Sequence, residues 1–87
     1  MINNILHLCN FEVTKNIEAN LSLISKDDAV IFYSNEMSKT HSDNLKALFN
    51  DTTVYFVIKN NTENINTINH NKWLQLVNQY NTTMTWK

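Results

Sequence analysis

The chain has 87 residues, a formal net charge of −1 and seven basic residues, all of them lysine. One small domain is the expectation, burying only about 60% of its extended surface, so a partner subunit would help complete its core. Evenly spread lysines without arginine argue against direct nucleic-acid binding, which favours a basic stripe and bidentate guanidinium contacts.

Residues 1–9 lack a leading positive charge and contain Asn3, Asn4 and His7, so they do not read as a secretory signal. No apolar run approaches the length of a membrane span, and the single cysteine, Cys9, cannot form an internal disulfide. A cytoplasmic protein is expected. Glycine and proline are absent, which leaves asparagine to serve turns and caps because it tolerates left-handed backbone.

In chain order, residues 2–9 are expected to form a first strand. Val13, Ile17, Leu21 and Ile24 follow at spacings of four, four and three, one face of a helix that returns the chain in a right-handed crossover. Ala29-Val30-Ile31-Phe32-Tyr33, bounded by Asp28 and Ser34, is too short for a core helix and has no polar alternation. It reads as a central strand covered on both faces. A polar segment, 35–42, leads to a helix over 43–49 capped by Ser42 or Asp43. Residues 53–58 make a third strand, 59–66 a loop with one helical turn, and 67–69 a short strand. Trp73, Leu74, Leu76, Val77 and Tyr80 mark another amphipathic helix, opened by Asn69 or Asn71. Residues 82–86 close the chain as an edge strand. The alternation predicts a small three-layer α/β domain with a mostly parallel sheet of four to five strands.

Few side chains suggest chemistry. Cys9 falls at the carboxyl end of the first strand, where open α/β sheets bind ligands. A thiolate there would carry a persulfide if its pKa were lowered, while the plainer reading is a small core residue. His7, His41 and His70 with Cys9 match no metal-ligand spacing, and His7 within a strand reads as a buried, hydrogen-bonded histidine. His7 and Cys9 point to the same face. Asp27 and Asp28 diverge as neighbours and read as turn and cap residues, not an acid/base pair. Asn35-Glu36 has no partner nucleophile, and Ser34 lacks a nucleophile-elbow setting. Trp73 and Trp86 read as core or interface anchors. No self-contained active site, cofactor cradle or metal motif is visible.

Several segments together resemble the TusB/DsrH family, the small third subunit of the TusBCD and DsrEFH sulfur-relay complexes. Ile5-Leu6-His7 resembles that family's Leu-His start, and Asp28-Ala29-Val30-Ile31-Phe32 its second strand. Val54-Tyr55 resembles its third strand, and Ile68, Trp73, Leu74, Leu76, Val77 and Met84-Thr85-Trp86 its closing helix and strand. The resemblance implies a DsrE/DsrF/DsrH-like, flavodoxin-like fold in a heterohexamer of two copies each of three related subunits. Its TusC-like and TusD-like partners would pass persulfide sulfur to a TusE-like acceptor, towards 2-thiouridine at the tRNA wobble position. The TusB-like subunit would be architectural, without a cofactor, with Trp73 and Trp86 as interface candidates. Asn20 stands where some members carry cysteine, so no sulfur-binding residue is carried over. Asn35-Glu36-Met37 and Thr62-Glu63-Asn64 replace the family's Asp-Gly-Val and Ala-Arg-Gly loops. The alternatives are a persulfide carrier using Cys9, or a stand-alone DsrE-like homodimer. A sulfur-oxidation role stays open beside tRNA thiolation.

Overall fold

The computed structural model describes residues 5–11, 17, 24, 27–80 and 82–86. In these, β1 (Ile5–Asn10), β2 (Ala29–Ser34), α1 (Lys39–Leu48), β3 (Thr53–Ile58), α2 (His70–Gln79) and β4 (Thr82–Thr85) follow one another. The strands form one sheet in the order β3-β2-β1-β4, and all three pairings are parallel. Among the described residues the chain is therefore an α/β protein with a four-stranded, all-parallel sheet, an arrangement compatible with a flavodoxin-like fold. The helix expected over 13–24 lies outside the described residues, except that Ile17 and Ile24 pack against the α1-side core.

Strand alternation explains why the core divides in two. Val30 and Phe32 of β2 join Cys9, Leu45, Phe49, Phe56 and Trp86 on the α1 side. Ala29 and Ile31 join Leu6 and Leu76 on the α2 side. The four β2 residues from Ala29 to Phe32 are fully buried, as a run without polar alternation requires when both faces are covered. The sheet thus lies between α1 and α2, one on each face, which is the expected three-layer plan.

Three local expectations are corrected. α1 begins at Lys39, not at residue 43: Ser38 is its cap, accepting a hydrogen bond from the His41 N–H at 3.1 Å. Ser42 is instead buried in the first turn, where its hydroxyl donates to the Lys39 carbonyl at 2.8 Å. Lys39, Thr40 and His41 are all exposed, so the first turn carries no apolar periodicity that would announce it. The loop after β3 contains no helical turn. Asn61 closes it by accepting from the Ile65 N–H and donating to the Ile65 carbonyl, with Asn64 at φ 55°, a conformation asparagine tolerates. Residues 67–69 form no strand; Ile68 makes one 2.9 Å backbone bond to the Phe56 carbonyl at the edge of β3.

The later elements follow their sequence signals. Asn69 caps α2, its side-chain oxygen accepting from the Lys72 N–H at 2.9 Å. β4 pairs with β1 as an edge strand, and the Trp86 N–H extends the ladder by one bond to the Leu8 carbonyl. No helix among the described residues is long and apolar enough to cross a membrane.

Candidate functional site

A connected polar network lies inside the molecule. Trp86 donates its indole N–H to His7 Nδ1 at 3.0 Å. An indole nitrogen can only donate, so Nδ1 must accept and the ring proton sits on Nε2. That nitrogen lies 3.0 Å from Asp28 Oδ2 and donates to it. The other carboxylate oxygen accepts the Ile5 backbone N–H at 2.9 Å. The network joins the start of β1, the residue before β2 and the residue after β4, so it fastens three of the four strands side by side. All three residues are buried, with Trp86 only 3% exposed.

Sequence reasoning identified His7 as a buried, hydrogen-bonded residue but missed its partner. Asp28, read as a turn and cap residue, is buried beneath the sheet edge, whereas its neighbour Asp27 stays exposed. Parallel pairing gives the missing signal. A histidine early in β1 and an aspartate just before the adjacent β2 become lateral neighbours once Leu6 pairs with Ala29. An aligned Asp–His pair resembles a general-base unit, but here the second ring nitrogen is occupied by Trp86 and no water-facing surface reaches it. Its chemistry is structural: both His7 ring nitrogens, both Asp28 carboxylate oxygens and the Trp86 indole N–H have a partner, which avoids the desolvation penalty of an unmet group.

Cys9 is fully enclosed in the α1-side core, among Val30, Phe32 and Phe56. A persulfide-accepting thiol must be reached by its donor, and the Cys9 side chain has no exposed surface in this fold. Trp86 is likewise an interior residue, not a surface anchor; its ring meets Phe32 and Phe49 at centroid distances of 6.1 and 6.0 Å. Trp73 is half-buried on α2, beside a surface that is unusually apolar. Leu76 is the one buried residue of that helix, while Leu74 is 62% and Val77 37% exposed. Among the described residues, no group of three or more His, Cys, Asp and Glu side chains could hold a metal ion.

Two clefts of about 560 Å³ each open at the carboxyl edge of the sheet. The one on the α1 side is bordered by Glu36, Glu63, His41 and Phe11. The one on the α2 side lies over the ends of β1, β2 and β3 and includes Tyr33, Lys59, His70 and Trp73. Neither cleft includes Cys9.

No family model matches the chain, and no curated protein and no solved structure matches it either.

Proposed function

We propose that the chain is a non-catalytic, architectural subunit of a cytoplasmic, heterohexameric sulfur-relay complex. In this reading it is a reduced DsrE/DsrF/DsrH-like domain beside TusC-like and TusD-like subunits. Together they pass persulfide sulfur to a TusE-like acceptor for 2-thiouridine formation at the tRNA wobble position. One observation carries the reading. His7, Asp28 and Trp86 come from three of the separate segments in which the sequence resembles the TusB/DsrH family, and they meet in one buried network. Residues shared because they hold the strands together are what an architectural subunit needs.

Two further features support it. The enclosed position of Cys9 leaves relay chemistry to a partner's cysteine. The outward apolar side chains of α2, Leu74 and Val77 beside Trp73, give a surface whose burial would stabilise assembly by roughly 1.5–3 kcal/mol per fully covered large side chain.

Co-expression with TusC-like and TusD-like subunits, followed by light scattering of the purified material, tests the proposal. Two copies of each subunit in one particle are expected. A chain that ignores both partners and purifies as a homodimer would replace this reading with the stand-alone domain.

A further inference from the structure

The two carboxyl-edge clefts differ in charge although they share one sheet edge and one size. The α1-side cleft is bordered by two carboxylates, Glu36 and Glu63. Among the described residues the α2-side cleft is lined by no acidic residue; the ionisable groups there are Lys59, His70 and the phenol of Tyr33. In a chain with eight acidic residues and a net charge of −1, that makes it a locally cationic recess on a mildly acidic molecule.

Its walls are also specialised. Trp73 stands at the centre of an aromatic cluster, with the His70 ring stacked near it at 6.3 Å and 7° between planes. The Tyr33 ring lies 5.6 Å from the indole, tilted by 40°. Val57 and Ile68 add apolar wall, and Asn10 and Asn35 stand at the strand ends. Folding the chain accounts for the convergence: β2 and β3 end here, and the cap at Asn69 turns α2 so that its first turn presents His70 and Trp73. Ligand sites in parallel α/β sheets form outside the carboxyl ends of the strands, and a volume near 560 Å³ lies within the usual range of about 300–1,000 Å³ for small-molecule sites.

From these features we infer that the α2-side cleft is a binding site for a nucleoside monophosphate, its base against the Trp73 shelf and its phosphate held by Lys59. An aromatic shelf recognises a flat ring by offset stacking. An ammonium beside it, with no carboxylate among the described lining residues, selects a ligand whose ring carries an anion. This inference stands apart from the subunit reading, since it uses neither Cys9 nor the buried network.

The test is intrinsic tryptophan fluorescence of the full chain, titrated with adenosine 5′-monophosphate, with adenosine and with inorganic phosphate. Half-buried Trp73 and buried Trp86 are the two emitters, so quenching that disappears in Trp73→Phe reports on the cleft. Saturable quenching by the nucleotide is expected, with adenosine weaker by about tenfold, the worth of one charge-assisted contact. Lys59→Gln should erase that difference while leaving the circular dichroism spectrum unchanged. Absence of saturable quenching by the nucleotide, equal affinity for nucleotide and nucleoside, or undiminished discrimination in Lys59→Gln would each overturn the assignment.

Discussion

Replacing Trp86 by Phe separates the hydrogen bond of the buried network from the bulk of the ring. Phenylalanine keeps an aromatic ring against Phe32 and Phe49 but removes the indole N–H that donates to His7 Nδ1 at 3.0 Å. A buried acceptor left without a partner costs about 1–3 kcal/mol. The smaller ring adds a packing loss well below the roughly 3–5 kcal/mol of a Trp→Ala truncation. A chain of 87 residues has a total stability of about 4–13 kcal/mol, so the single nitrogen accounts for a sizeable fraction. The expected result in urea denaturation followed by circular dichroism is a loss of about 1–3 kcal/mol. On heating, Tm should fall by several degrees, since 1 kcal/mol corresponds to about 4–8 °C in domains of this size. If Trp86→Phe stays within about 0.5 kcal/mol of the parent, the level of a neutral surface change, the network does not hold the strands together and the argument fails.

Other perturbations probe neighbouring claims. Asp28→Asn can still accept from the Ile5 N–H, but it then turns an amide N–H₂ towards the His7 Nε2–H; with Nδ1 held by Trp86 no tautomer resolves the clash. A loss of about 1–3 kcal/mol in the same denaturation assay is expected. The Cys9 thiol should react with an aromatic disulfide reagent only as fast as the protein opens, and at once in denaturant; prompt reaction in the native state would contradict its enclosure. The Tyr80 hydroxyl is held above its ordinary pKa first by burial and then by the charges of Tyr55 and Asp28. The folded state thus prefers the neutral phenol. That preference is fully present below the unfolded value of about 10 and is lost as pH rises through the folded one. Alkaline melts should accordingly flatten in Tyr80→Phe relative to the parent.

How far the sequence could be read depended on which interactions fix each element. β2 and β3 were legible because burial on both faces writes itself as an uninterrupted apolar run, and residues 53–58 match β3 residue for residue. α2 was legible from its apolar spacing and from Asn69. α1 was misjudged at its start because Ser38 and Ser42 stand one turn apart, and only the fold shows which serine caps and which is buried. Strand order was invisible, and with it the pairing of His7 with Asp28, 21 positions apart. Trp86 looked equally suited to a core or an interface. Its indole N–H settles the matter locally, because a donor that finds a buried histidine acceptor 79 positions away leaves the ring inside. The cationic cleft also required the fold, since Tyr33, Lys59 and Trp73 show no common pattern along the chain.

The architectural account is tested most directly by reconstituting sulfur transfer to a TusE-like acceptor with the full set of subunits, using Cys9→Ala in place of the parent chain and omitting the chain altogether. The account predicts unchanged transfer with Cys9→Ala, and loss of both assembly and transfer on omission. An intact Cys9→Ala particle that no longer moves sulfur would contradict it and make Cys9 the carrier.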